Sequence, residues 1–144
     1  MVKNETCEGR CLCGDIRFKI SGTPYLVEFC HCMSCRKAVG APVMAWVGVS
    51  RAHFRLEQGA PQIYISSPGV ERGFCGTCGT SMTISSTEFP DEIYVSDAAI
   101  DDASSFPPDV HIWRAQRLQW FETDDVLPRY MRFKSDGILE GSTE

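Results

Sequence analysis

Apolar and polar residues alternate in short runs along most of this chain. Ile16, Phe18 and Ile20 alternate with two charged residues, which is the period-two pattern of a strand with one buried face. Similar runs follow, and prolines and glycines separate them as turns or edge positions. The further predicted strands are Tyr25–Phe29, Val43–Val49, Gln62–Ile65, Ser81–Ser85, Glu92–Val95 and Leu118–Glu122. The pattern therefore predicts a mainly β fold made of several short antiparallel sheets.

Two further stretches are suited to short helices. They are Ser34–Val39 and Ile100–Ser105. At 144 residues and 16.1 kDa the chain has the size of one domain. We expect residues 1–144 to form a single unit, with its core between residues 9 and 133. Residues 135–144 have little to bury and are expected to fray.

Composition and charge narrow the classes of function. With 43% hydrophobic and 23% charged residues, the chain has the composition of a globular protein. Its net charge of −5 argues against a nucleic acid or an anionic membrane as partner. No apolar run approaches the roughly 18 residues that span a bilayer, and the N-terminus lacks the apolar stretch of a secretory signal. We therefore expect a cytoplasmic protein, in which eight cysteines indicate metal or redox chemistry before disulfides.

Two close cysteine pairs, each followed by a glycine, have the spacing of metal ligands. Cys11 and Cys13 share one face of an extended chain, so both thiols can reach one ion. Cys75 and Cys78 have the separation of a zinc knuckle, in which one tight turn aims both sulfurs at a single ion. Gly79 can take the positive φ that such a turn requires. Together the pairs offer a four-thiolate structural site, and burial as small apolar residues or redox chemistry is the alternative.

A third cluster, Cys30, Cys32 and Cys35, offers three thiolates within six residues. Cys30 and Cys32 share a face at the end of a predicted strand, and the following turn brings Cys35 back to the same point. His31 would face the other way and suits a supporting or surface role better than ligation. Three ligands leave a fourth position on zinc for water or a substrate, and such an electron-rich ion suits a soft substrate thiolate. Cys7 as a fourth ligand would instead close the site and make it structural.

These motifs resemble those of the glutathione-dependent formaldehyde-activating enzyme family, also called the centromere-protein-V/formaldehyde-activating domain. The resemblance extends over nearly the whole chain, from about Gly9 to Phe133. The segments that carry it are Gly9-x-Cys11-x-Cys13-Gly14-x-Ile16-Arg17-Phe18, Cys30-His31-Cys32-x-x-Cys35-Arg36-Lys37, Phe74-Cys75-x-x-Cys78-Gly79-Thr80, His111-Ile112-Trp113, Trp120 and Leu127-Pro128-x-Tyr130.

The resemblance implies a β-tent fold of several coiled antiparallel sheets, stapled by zinc, with two zinc ions per chain. The implied ligands are Cys11, Cys13, Cys75 and Cys78 for a structural zinc, and Cys30, Cys32 and Cys35 for a catalytic zinc. It also implies a carbon–sulfur lyase that condenses glutathione with formaldehyde to S-(hydroxymethyl)glutathione. A small thiol and an aldehyde are therefore the expected partners, and the thiol would add to the aldehyde beside the second zinc.

Other residues of these segments have two interpretations each. Arg36 and Lys37 either offset the charge of the thiolates and bind a substrate carboxylate, or are ordinary surface charges. His111 is either an acid–base group beside the second zinc or a hydrogen-bonded structural histidine, and the second interpretation is favoured. Trp113 and Trp120 are expected to pack in the core or on a sheet and not to stack on a substrate.

Two functions of other classes compete with the enzyme. A non-catalytic, zinc-stabilised β module for protein binding would hold two structural ions, and ligation by Cys7 would favour it. A thiol-redox or metal-storage protein would need labile zinc and exposed cysteines of low pKa. An open coordination position within a pocket would favour the enzyme.

Overall fold

A computed structural model describes residues 6–142 and places ten strands and one α-helix within that range. The strands are β1 (Thr6–Arg10), β2 (Arg17–Ser21), β3 (Leu26–Cys30), β4 (Met44–Ser50), β5 (Phe54–Gln58), β6 (Gln62–Ser67), β7 (Val70–Phe74), β8 (Ser81–Ser86), β9 (Glu92–Ser96) and β10 (Val110–Ile112). The helix is α1 (Met33–Val39).

The strands form two sheets, which confirms the mainly β prediction. A three-stranded sheet has the order β1-β2-β5, and a seven-stranded sheet has the order β10-β3-β4-β9-β8-β7-β6. Neighbouring strands are antiparallel, as predicted, except that β10 runs parallel to β3. This parallel pair brings residues near position 111 beside residues near position 30, because His111 is in register with Phe29.

Six of the seven predicted strands are present, and one prediction is wrong. Residues 118–122 form a turn, in which the Phe121 N–H donates to the Leu118 carbonyl at 3.1 Å. The apolar–polar alternation of this segment wrongly predicts a strand with one buried face. Trp120 is 74% exposed, and Glu122 forms an ion pair with Arg114 at 2.8 Å. The strands β1, β5, β7 and β10 were not predicted.

The helical predictions have mixed outcomes. Ser34–Val39 lies within α1, which ends at Gly40. The second segment, residues 100–105, forms only a 3₁₀ turn at Ala103–Ser105. Among residues 6–142, no helix has the length and apolar character needed to cross a membrane.

The core combines apolar side chains from both sheets. Phe18 and Ile20 of β2 pack with Val47 of β4 and Val95 of β9, and each exposes 1% or less of its surface. Burial of each such side chain stabilises the fold by roughly 1.5–3 kcal/mol. Trp46 neighbours Val47 on β4 and so points to the other face of the sheet, where it joins a smaller cluster with α1 and the third group of cysteines.

Residues 135–142 contact the domain, and fraying of residues 135–144 stays a prediction. Met131 donates its N–H to Ile138 at 2.8 Å, and Glu140 donates its N–H to Arg129 at 2.7 Å. The Glu140 carboxylate also pairs with the buried Arg114 guanidinium at 3.2 Å. This segment is therefore held by backbone pairing and a partly buried charge and not by apolar burial. Residues 143 and 144 lie outside the described residues.

Candidate metal centres

The first cysteine group joins the two sheets. Cys11 and Cys13 lie in the turn between β1 and β2, whereas Cys75 and Cys78 lie in the turn between β7 and β8. Their four sulfur atoms lie within 4.8 Å of one another. The Cys11 and Cys13 sulfurs are 3.6 Å apart, and the Cys13 and Cys75 sulfurs are 3.8 Å apart.

This geometry fits a tetrahedral zinc ion. Zinc–sulfur bonds of about 2.3 Å place neighbouring sulfurs of a tetrahedron about 3.8 Å apart, which matches the two observed separations. A disulfide would need about 2.05 Å, and all four cysteines are free thiols. The sequence prediction that these four belong together is reproduced in space, and zinc itself stays a prediction.

Two glycines and a threonine shape this group. Gly14 and Gly79 take φ values of 84° and 80°, and each donates its N–H to the carbonyl of the first cysteine in its pair. The Thr80 hydroxyl accepts from the Leu12 N–H at 3.0 Å and lies 3.2 Å from the Cys78 sulfur. Its hydrogen bond lowers the pKa of Cys78 to about 5. Thr80 thus ties the two turns together.

The second group lies where β3 meets α1. Cys30 is the last residue of β3, Cys32 caps α1, and Cys35 lies in its first turn. Their sulfurs lie within 4.8 Å of one another, and the Cys35 N–H donates to the Cys32 sulfur at 3.3 Å. Cys30 and Cys35 are buried, while Cys32 is partly exposed. We call these three residues the three-cysteine cluster.

Cys7 belongs to neither group among the described residues. It is part of β1, where it is in register with Ile20 and packs against the main core. Residues 6–10, which include Cys7, therefore form a strand. Cys7 does not complete the three-cysteine cluster in this structure.

Arg72 on β7 contacts the three-cysteine cluster directly. Its Nη1 and Nη2 atoms lie 3.6 and 3.7 Å from the Cys35 sulfur, and its Nε donates to the Ser66 hydroxyl at 3.0 Å. Sequence reasoning missed Arg72 because β7 was not predicted and 37 positions separate it from Cys35. The sequence feature that could have pointed to Arg72 is its position three residues before Cys75.

Hydrogen bonds within the cluster divide its charge unequally. The Cys30 and Cys32 thiols lower the pKa of Cys35 far below its ordinary value, and contacts with Trp46 and Arg72 lower it further. The same interactions raise the pKa of Cys30 well above its ordinary value. The cluster therefore holds one negative charge readily, and further thiolates need added positive charge. A divalent cation of the soft class supplies that charge, so the donor set fits zinc.

Glu28 is a buried carboxyl on the same strand face as Cys30. Burial, followed by the charge of Cys35, raises the pKa of Glu28 to about 8. At neutral pH it is therefore mostly protonated, and it adds little negative charge beside the sulfurs.

His31 and His111 form a buried hydrogen-bonded pair next to the cluster. The His31 Nε2 and His111 Nδ1 atoms are 2.8 Å apart, and His111 Nε2 lies 3.1 Å from both oxygens of Asp125. Arg129 pairs with the same carboxylate at 3.1 Å. The His31 ring is thus bonded to His111 and not to the sulfurs, as the supporting role predicts. His111 is a hydrogen-bonded structural histidine, which is the favoured interpretation.

The Asp125 carboxylate fixes the tautomers of both rings. It accepts a hydrogen bond from the His111 Nε2–H, which leaves His111 Nδ1 to accept a hydrogen bond from the His31 Nε2–H. Burial lowers the pKa of His111 and lowers that of His31 to about 3, so both rings are neutral at pH 7. Burial alone would raise the pKa of Asp125, but hydrogen bonds from Thr123, Leu127 and His111 lower it.

We expect Asp125→Ala to lower the free energy of unfolding by about 2 kcal/mol, because it removes the carboxylate acceptor of the fully buried His111 N–H and the ion pair with Arg129. Urea unfolding followed by circular dichroism measures this change. Asp124→Ala is the matched control, since Asp124 is exposed and its removal should change stability by less than about 0.5 kcal/mol. Equal effects of the two substitutions would contradict the network.

The remaining candidate residues occupy one side of α1. Arg36 is committed to backbone, since it donates to the carbonyls of His31 at 3.0 Å and Gln116 at 2.9 Å. Lys37 is exposed and lines an open groove of about 350 Å³ with Trp120. The packing prediction is wrong for Trp120, which is 74% exposed.

Trp113 does pack, as predicted. It is half-buried, and its ring meets the ring of Phe133 edge-on at 5.2 Å between centroids. Its φ of 57° is unusual for a bulky side chain. This conformation ends β10 and begins the 3₁₀ turn at Arg114–Gln116.

Comparisons with known proteins agree with the motifs. A profile of the family described as glutathione-dependent formaldehyde-activating enzyme matches residues 6–116. A Halomonas elongata protein named "Putative glutathione-dependent formaldehyde-activating enzyme" is 32% identical, over 81% of this chain and 80% of that protein. A Schizosaccharomyces pombe protein named as an uncharacterized lyase is 29% identical, over 62% of this chain and 64% of that protein. The crystal structure of a Rhodobacter sphaeroides protein shares the fold, with a TM-score of 0.54 at 21% identity over 66% of this chain and 88% of that one.

Proposed function

Since the chain belongs to the glutathione-dependent formaldehyde-activating enzyme family, we propose that it is a zinc-dependent carbon–sulfur lyase. Its substrates would be a small thiol and an aldehyde, which it joins and separates. Glutathione and formaldehyde are the first pair to test, because the family and the Halomonas elongata relative are named for them. The three-cysteine cluster would be the catalytic centre, and the four-cysteine group would be structural.

One observation carries this proposal. The two groups of sulfurs differ in number, because the first offers four and the second offers three among the described residues. Four thiolates complete a tetrahedral zinc site, whereas three leave one position for a substrate. Cys32 is the partly exposed member of the second group, so the open side would face solvent there.

The chemistry is an addition with no change of oxidation state. In the joining direction the thiol loses its proton, a carbon–sulfur bond forms at the aldehyde carbon, and the carbonyl oxygen gains a proton. The reverse direction breaks the same bond and returns both substrates. Zinc held by Cys30, Cys32 and Cys35 would supply a soft Lewis acid that keeps a further thiol deprotonated at neutral pH.

The side chains of the chain supply the frame for this reaction. Cys30 and Cys35 would hold the ion from the buried side, and the Cys35 N–H keeps the Cys32 sulfur in place. Because thiols add to formaldehyde readily without a catalyst, the main contribution of the protein would be thiolate formation and positioning.

Exchange spectroscopy of formaldehyde with glutathione tests this function. We expect the exchange rate to rise linearly with the concentration of zinc-loaded protein, and Cys7→Ser to leave it unchanged because Cys7 lies outside both groups. Rates equal to buffer across several thiols and aldehydes would reject the lyase and favour a non-catalytic zinc-stabilised β module.

A further inference from the structure

We propose that Arg72 is a positioning residue of the three-cysteine cluster, which it holds in place and whose negative charge it offsets. This inference rests on the metal binding of the proposed function and goes beyond it, because it assigns a role to a side chain outside the cysteine motifs. Its first support is a double contact. Both terminal nitrogens of the guanidinium lie 3.6–3.7 Å from the Cys35 sulfur.

The guanidinium is fixed from the opposite side. Its Nε donates to the Ser66 hydroxyl at 3.0 Å, so the planar group is bound at both ends. Arg72 also lies on β7, which pairs with β6 on one side and β8 on the other. A strand with two neighbours has little freedom to move, so the charge is presented at a defined point.

Charge balance explains why this cation matters. Three thiolates and one divalent ion carry a net charge of −1. Arg36, the cation adjacent to Cys35 in sequence, uses its guanidinium on the carbonyls of His31 and Gln116. Among residues 6–142, Arg72 is therefore the cation that bonds to a sulfur of the cluster, and it brings the centre to neutrality.

The same strand connects the two centres. β7 ends at Phe74, and Cys75 of the four-cysteine group follows directly. Arg72 therefore lies three residues from one centre while it contacts the other. The four-cysteine group fixes the end of β7, and through it the position of the guanidinium.

Zinc affinities of Arg72 variants test this role. Side chains that support metal ligands are typically worth 10–100-fold in affinity, so we expect Arg72→Gln to raise the dissociation constant of the weaker zinc by that factor. Arg72→Lys keeps the charge but cannot reach the sulfur and Ser66 together, and an intermediate value is expected. Arg55→Gln is the matched control, because Arg55 is an exposed strand arginine that pairs with Glu57. Chelator competition measures both zinc ions in each protein.

A spectroscopic readout separates the local role from general destabilisation. In cadmium-loaded protein, the ¹¹³Cd resonance of the three-cysteine cluster should shift in Arg72→Gln, while that of the four-cysteine group should keep its position. If Arg72→Gln does not fold, as judged by circular dichroism, Arg72→Lys and Ser66→Ala decide the question through the same two measurements.

The outcomes distinguish this inference from the proposed function. Unchanged affinity and an unchanged cadmium resonance in the folded Arg72 variants would overturn the role of Arg72. A wild-type protein that binds one zinc ion would overturn both proposals. Two zinc ions with Arg72-dependent affinity, but without thiol–aldehyde exchange, would support the role of Arg72 and reject the lyase.

Discussion

Cys75→Ser is expected to unfold the protein at 25 °C. The reason is the energy of a structural zinc, which contributes about 10–16 kcal/mol in small zinc domains, whereas whole domains are stable by about 5–15 kcal/mol. Cys75 is almost fully buried and its sulfur is 3.8 Å from that of Cys13. Serine offers no thiolate at this position. We expect loss of the β-sheet signal in circular dichroism together with loss of zinc.

The four-cysteine group joins the two sheets of the fold, so its loss is expected to affect the whole domain. Cys11 and Cys13 belong to the turn of the three-stranded sheet, and Cys75 and Cys78 belong to a turn of the seven-stranded sheet. The ion would therefore connect two sheets that otherwise meet through the apolar core. Cys7→Ser is the matched control, because Cys7 is a half-buried thiol of β1 outside both groups. A Cys75→Ser protein that melts within a few degrees of wild type would contradict the structural role.

The cysteine groups were predictable because their geometry is local. A separation of two or three residues sets the distance between two thiols by itself, whatever the rest of the fold does. Gly14 and Gly79 were predictable for the same reason, since a tight turn after a ligand pair favours positive φ. The grouping of Cys11 and Cys13 with Cys75 and Cys78 is not local, because 62 positions separate Cys13 from Cys75, and the family resemblance implied it.

The residues around the cysteines were not predictable, because they come from distant parts of the chain. Arg72 is 37 positions from Cys35, and His111 is 80 positions from His31. The second contact depends on the parallel pairing of β10 with β3, and a strand of three residues is too short to predict from the sequence pattern. The sequence alone indicates that Asp125 belongs to an exposed acidic turn. Its contacts with His111 and Arg129 become visible only in the folded structure.

The double substitution Cys32→Ser, Cys35→Ser is expected to remove one zinc ion and the activity while the protein stays folded, whereas Cys75→Ser is expected to unfold it. The three-cysteine cluster lies within six residues, whereas 62 positions separate Cys13 from Cys75. An ion at the cluster would connect residues of one short segment and would not join the two sheets, so its loss leaves the four-cysteine group and the main core in place. The variant should therefore keep its sheets, although both sulfurs of the α1 segment are gone.

Its activity and metal content should change together. We expect the zinc count to fall from two ions per chain to one, and thiol–aldehyde exchange to fall to the rate in buffer, because Cys30 alone cannot hold the second ion. Circular dichroism melts, elemental analysis and exchange spectroscopy on one preparation measure all three quantities. Cys7→Ser again serves as the control and should retain two ions and full exchange. If the double variant unfolds as completely as Cys75→Ser, or if it exchanges as fast as wild type, the division into a structural and a catalytic centre is wrong.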